Sequence, residues 1–180
     1  MEKTHQTALV IIPPPTVWGP IQEIRRLHDR QFRRWMPHLT LLYPFAPKRD
    51  FNRVLPELAP VGWEQRPFEV TLARFSWFRH GQERYTLWLA PEPREPVVAL
   101  QEALYRALPS FGDTRSFKGG FTPHLSVGQV AGKGRLRSLV EELSASWEPV
   151  RFTVSEVCLI SRKAPPNDIF QVDRRIVLEG

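Results

Sequence analysis

Two tetrapeptides constrain this chain more than anything else in it: Pro37-His38-Leu39-Thr40 and, 86 residues later, Pro123-His124-Leu125-Ser126. Each opens an apolar stretch, Leu39-Thr40-Leu41-Leu42-Tyr43 in the first and Leu125-Ser126-Val127 in the second, and each reads as the start of a β-strand. Side chains of a strand alternate between its faces, so residues i and i+2 point the same way. His38 then shares a face with Thr40, and His124 with Ser126, while Leu39 and Leu125 point into an apolar layer behind them. A fold for this chain has to explain why a strand carrying an imidazole beside a hydroxyl is used twice.

The remaining sequence supplies a scaffold of alternating type. Strands are expected over residues 7–13, 39–43, 68–78, 84–90, 125–127, 152–161 and 170–178, from short apolar or alternating runs bounded by Pro and Gly. Helices are expected over 17–32, 50–61, 97–108 and 136–146, where apolar residues recur at helical spacing. In the first of these helices Ile21, Ile24, Leu27, His28 and Phe32 form the inward stripe, with Arg25, Arg26 and Arg30 outside. The order is β-α-β-(α)-β-β-α-β-α-β-β, an α+β pattern of antiparallel sheets with flanking helices. Because the histidine motif recurs with helices around each copy, the expectation is a bilobal, pseudo-two-fold arrangement about a central groove. Residues 1–180 would then be one domain made of two similar lobes.

Composition narrows the partners. The hydrophobic fraction is 42% and the charged fraction 24%, ordinary values for a globular protein that buries a core. No run approaches the roughly 18 apolar residues of a membrane span, and the N-terminus lacks the plan of a signal peptide, so a cytoplasmic protein without a membrane partner is expected. The net charge is +6, and only five of the 25 basic residues are lysine. Arginine's planar fork matches phosphate better than a point charge does. The single cysteine, Cys158, lies in an apolar run and reads as a small buried hydrophobe.

Two histidines facing one ligand can act as a base and an acid near neutral pH, since the ordinary imidazole value lies near 6.5. The Thr40 and Ser126 hydroxyls can donate to phosphoryl oxygens where a transition state gathers charge. That is sufficient for phosphodiester chemistry without metal. A metal reading lacks a third or fourth ligand at familiar spacing. Which histidine is base and which acid stays open.

With these residues in view, the sequence resembles the two-histidine phosphoesterases, the superfamily of 2′-5′ RNA ligases and cyclic phosphodiesterases. Both motifs carry the resemblance, together with their separation and the late segment Val157-Cys158-Leu159-Ile160-Ser161-Arg162. It implies a bilobal α+β fold and an enzyme without metal or other cofactor. Its substrates would be RNA ends or cyclic nucleotides bearing a 2′,3′-cyclic phosphate, with a 2′-phosphate product and, on the ligase branch, 2′-5′ joining. The catalytic set would be His38, Thr40, His124 and Ser126, acting in a monomer. The alternative is a non-catalytic module that binds an RNA end or a nucleotide. Five further residues are candidates for substrate contact. Phe121 could stack a base at the groove's mouth; Tyr43 could do so too, although strict alternation sends it to the core face. Arg162 could reach a phosphate, and Arg115 and Lys118 could guide a backbone. Trp77 and Phe78 read as core, and His5, His28 and His80 as structural or solvated, with His80 in a turn.

Overall fold

The computed structural model describes residues 1–115 and 120–180, Arg115 through its backbone alone. Among these residues eight strands form one sheet: β1 (Thr7–Ile11), β2 (Leu39–Leu42), β3 (Phe68–His80), β4 (Arg84–Glu92), β5 (Leu125–Ala131), β6 (Val150–Val154), β7 (Glu156–Ser161) and β8 (Gln171–Val177). Their spatial order is β6-β3-β4-β5-β2-β1-β7-β8, with every neighbouring pair antiparallel. The sheet curls into a half-barrel with helices α1 (Trp18–His28), α2 (Phe51–Glu64), α3 (Glu95–Ala107) and α4 (Lys133–Ser146) flanking it. Read outward from the central β5-β2 pair, the two halves mirror each other, four strands to a side. This is the expected α+β, pseudo-two-fold arrangement, built as one continuous sheet.

The halves touch through very little backbone. β2 and β5 register at Leu39↔Leu125, and both leucines are fully buried in the main core. Past that pair the strands diverge and leave a notch on each side. On one side the end of α1 lies along β5, where Gly128 permits close approach: a Cβ there would stand 2.7 Å from the His28 Cβ and 3.1 Å from its carbonyl oxygen. On the other side the Thr114 hydroxyl donates to the Leu41 carbonyl at 3.0 Å, capping the free edge of β2.

Several sequence expectations are corrected. The run 152–161 is two strands broken at Ser155. Val150, Phe152 and Val154 alternate with exposed Arg151 and Thr153, as an edge strand should, whereas Val157 to Ser161 is buried throughout as an inner strand. β6 and β7 lie in opposite halves of the sheet. β5 continues past Gly128 to Ala131, paired with Arg84 of β4. Residues 109–115 form 3-10 turns.

Helix α1 ends at His28, because Asp29 turns extended and its carboxylate accepts the Gln31 backbone N–H at 2.9 Å. Its inward face also differs: Leu27 is 67% exposed, while Arg25 is 1% exposed. Arg25 is buried because every arm finds a partner. Nε donates to Asp29 Oδ2 at 2.9 Å, one Nη to Gln22 Oε1 at 2.8 Å and the other to the Trp35 carbonyl at 2.9 Å.

Two substitutions test this packing. Gly128→Ala forces α1 away from β5 and should cost about 1–3 kcal/mol in urea unfolding, the usual range for overpacking. Arg25→Ala strands the buried Asp29 carboxylate and should cost more, about 3–5 kcal/mol.

Candidate functional site

The antiparallel register at Leu39↔Leu125 determines the site. It sets His38 beside Ser126 and Thr40 beside His124, so each hydroxyl sits across from the other motif's histidine. All four side chains are half-buried on the face opposite the two core leucines. The sequence expectation that the motifs come together on one face therefore holds.

Both imidazoles are oriented in the same way. His38 Nδ1 lies 2.7 Å from the Met36 carbonyl and His124 Nδ1 lies 2.8 Å from the Thr122 carbonyl. A carbonyl oxygen can only accept, so Nδ1 carries the proton in both rings and Nε2 presents its lone pair to the groove. Burial pulls His38 down to about 4; the Met36 hydrogen bond opposes this, and the Arg25 guanidinium adds to it. Burial also lowers His124, opposed by the Thr122 hydrogen bond. At neutral pH burial keeps both histidines neutral.

The surroundings of the two rings differ. Trp35 stacks flat on His38, with ring centres 4.5 Å apart at 16°, and stacks on Phe170 at 3.8 Å. The Arg25–Trp35 hydrogen bond fixes this segment from one side. From the other, Asp168, which is 1% exposed, accepts from Arg33 at 2.6 Å and from Arg34 Nε at 2.8 Å, while Phe170 N–H donates to the Arg34 carbonyl. His124 instead meets Phe78 edge-on at 4.8 Å and lies 5.9 Å from Trp88, whose buried indole Nε1 has no hydrogen-bond partner.

A hollow of about 600 Å³ opens on the His124 side, lined by Thr40, His124, Ser126, Phe78, Phe121 and Tyr43 among others. Phe121 is thus where the sequence suggested. Tyr43 faces the groove instead of the core, because a bulge intervenes. Leu9 pairs with Leu42 but Val10 with Thr40, so Leu41 is an extra residue and the alternation shifts. Leu41 and Leu42 are both buried in the main core, and Tyr43 packs with Trp35 on the groove side.

Phe78 is a groove residue and Trp77 is 46% exposed, so neither belongs to the core. His80 is the last residue of β3, and its Nε2 lies 2.9 Å from Thr86 Oγ1. Arg162 stands over the Phe170 ring at 5.5 Å with its Nε buried and unpartnered, close enough to Tyr43 to act on its phenol. The Arg115 side chain and Lys118 lie outside the described residues. His5 packs edge-on to Tyr43, His28 abuts Gly128, and Cys158 is buried with its thiol pushed up to about 12 by burial and the nearby Glu156. Among the described residues no group of three His, Cys, Asp or Glu side chains is placed to hold a metal ion, and no helix is long and apolar enough to cross a membrane.

Trp35, Thr86, Trp88 and the Arg25–Asp29 pair are absent from the sequence-derived site. Only the last left a usable signal, its i,i+4 spacing. The contacts of the others depend on tertiary neighbours.

A model of the 2'-5' RNA ligase superfamily matches residues 13–166. The chain belongs to that superfamily. A Geobacillus kaustophilus protein named as a candidate phosphoesterase is 28% identical over 122 residues, 67% of this chain and 67% of its own length. A Bacillus licheniformis protein of the same description is 25% identical over 122 residues, again 67% of this chain and 69% of that one. Among solved structures, TT0787 of Thermus thermophilus superposes with a TM-score of 0.65 at 19% identity, covering 97% of this chain and 98% of that one. E. coli LigT complexed with 3'-AMP gives 0.66 at 17% identity, covering 98% and 99%. The two structures share the fold of this superfamily member.

His38 offers a direct check on the buried site. Its folded value of about 4 lies below the ordinary 6.5, so the unfolded chain takes up the proton first. The stability it contributes is complete above pH about 6.5 and is lost as pH falls toward 4. In urea unfolding at pH 7 and pH 4.5, His38→Gln should lose less stability between the two pH values than wild type. An equal loss would mean that His38 is not held neutral.

Proposed function

We propose that this chain is a metal-independent phosphoesterase that opens 2′,3′-cyclic phosphates on RNA ends or nucleotides, leaving a 2′-phosphate. The observation that carries this reading is the interleaved pair: two imidazoles with free Nε2 atoms, each across from a hydroxyl of the other motif. The cyclic phosphate sits between them. One histidine takes a proton from water as its oxygen bonds to phosphorus. The P–O3′ bond breaks, and the other histidine gives its proton to O3′. Thr40 and Ser126 donate to the non-bridging oxygens, where negative charge builds. Binding of an anion raises both imidazole values, and one proton then suffices to arm the acid. Burial, with a smaller push from the Arg25 guanidinium, keeps the His38 ring neutral, which favours His38 as base and His124 as acid. With a 5′-hydroxyl in place of water as the attacking group, the same step would form a P–O5′ bond, break P–O3′ and join RNA ends 2′-5′.

The ligands held by E. coli LigT, 3'-AMP, ATP, NADP+ and phosphate, support a nucleotide in a groove of this shape. Residues 1–180 would act as one two-lobed unit, as a monomer in the cytoplasm.

The test is turnover of a 2′,3′-cyclic nucleotide and of an oligoribonucleotide with the same end, in the presence of EDTA. Wild type should form a 2′-phosphate at an undiminished rate, with a bell-shaped dependence of kcat/KM on pH. His38→Ala or His124→Ala should each lower the rate by about 10²–10⁴-fold. Thr40→Ala and Ser126→Ala should cost less, since each removes one hydrogen bond. Full activity in either histidine variant would refute the mechanism. RNA-end binding by wild type with no product would leave the non-catalytic module.

A further inference from the structure

The hollow beside His124 continues past its own wall. Thr86 and His80 line it on the β3–β4 side, and the same two residues line a second hollow of about 530 Å³. That second hollow is completed by Arg30, Arg84, Tyr85, Gln129, Val130 and Ala131. Its lining carries two guanidinium groups and no carboxylate. Neither Arg30 nor Arg84 is ion-paired among the described residues, in contrast to Arg25, Arg33 and Arg34, which Asp29 and Asp168 hold in structural roles.

Both arginines are delivered to this trough by the fold. Along β4, Arg84, Thr86 and Trp88 alternate with core residues Tyr85, Leu87 and Leu89, so all three face the groove. Trp88 stands opposite Ser126 and Arg84 opposite Ala131. At the rise of a strand, Arg84 lies about 13 Å along β4 from the level of the catalytic pair. Arg30 comes from the turn after α1. The Gln129 amide grips that turn with both ends: Oε1 accepts the Arg30 backbone N–H at 2.9 Å and Nε2 donates to Asp29 Oδ1 at 3.1 Å.

A cyclic mononucleotide with its phosphate between His38 and His124 leaves the trough empty. A strand of RNA whose terminal nucleoside lies along the hollow would bring its next phosphate past Thr86 and His80, which line both hollows. Paired, unneutralised arginines suit that group. We propose that the Arg30–Arg84 trough is a second phosphate subsite, holding the backbone phosphate that precedes the reacting terminal nucleotide. The substrate is then an oligoribonucleotide end in preference to a free cyclic nucleotide. This rests on the phosphoesterase reading above and deepens it.

The experiment compares kcat/KM on three substrates with the same terminal base: a 2′,3′-cyclic nucleoside phosphate, the same molecule with a 5′-phosphate, and a trinucleotide ending in the cyclic phosphate. Wild type should favour the trinucleotide over the first substrate by at least about tenfold, the scale of one charge-assisted contact. In Arg30→Gln/Arg84→Gln that ratio should fall toward one, mainly through KM, and the salt dependence should flatten by a slope of about 0.7. Equal rates on all three substrates in wild type, or an unchanged ratio in the double variant, would overturn the subsite. If the 5′-phosphate alone restores the full advantage, the subsite stands and the requirement for a chain falls. If wild type turns over none of the three, the phosphoesterase reading fails. Fluorescence anisotropy with a labelled 3′-phosphorylated trinucleotide then decides the trough separately: binding weakened in the double variant supports it, and unchanged binding refutes it.

Discussion

One cross-strand pair, Leu39 against Leu125, holds the site in register. Because the strands are antiparallel and both motifs have the same spacing, centring them on these leucines is what interleaves two histidines with two hydroxyls. A slip of one residue would send the four polar side chains into the core and the leucines into the groove. Full burial of both leucines opposes that slip. The short contact also explains the neighbours. Strands that diverge after one pair expose backbone edges, and the end of α1 and the Thr114 hydroxyl occupy the two notches so formed.

The pseudo-symmetry stops at the side chains around the rings. His38 lies under Trp35 in a segment clamped by Arg25 and Asp168, so its side of the groove is filled. His124 meets Phe78 edge-on and Trp88 at a tilt, and borders open space. In the proposed reaction, unlike surroundings would let two like groups serve as base and acid at one pH. The filled side would keep the base in place, and the open side would admit the nucleoside. Asp29 and Asp168, remote from any reacting atom, hold the segment that carries Trp35.

Much of this was legible in the sequence, and the exceptions have local causes. The α+β pattern follows from the two periodicities, and the shared face of His38 with Thr40 and of His124 with Ser126 follows from strand alternation within each motif. Tyr43 escaped because a bulge at Leu41 breaks that alternation, and bulges leave no periodic trace. Arg25 was placed outside because charge normally excludes a residue from a buried face. Its burial depends on three acceptors, one of them a carbonyl ten residues away. The break at Ser155 was visible in principle, in the change from the alternating 150–154 to the continuous apolar 157–160, but no Pro or Gly marks it. Phe78 faces the groove because of its register with Thr86, which no single-strand pattern contains.

An open sheet, unlike a closed barrel, ends in two strands with unsatisfied backbone. In this protein those are β6 and β8, the outermost members of the order. β8 carries Asp173, Arg174 and Arg175 in succession, with Lys48 and Glu156 reaching across to two of them. β6 is five residues long and exposes Arg151. Charge and shortness are the two devices that keep strand edges from templating another chain. The fold that opens a groove at its centre thus guards its rims against edge-to-edge aggregation.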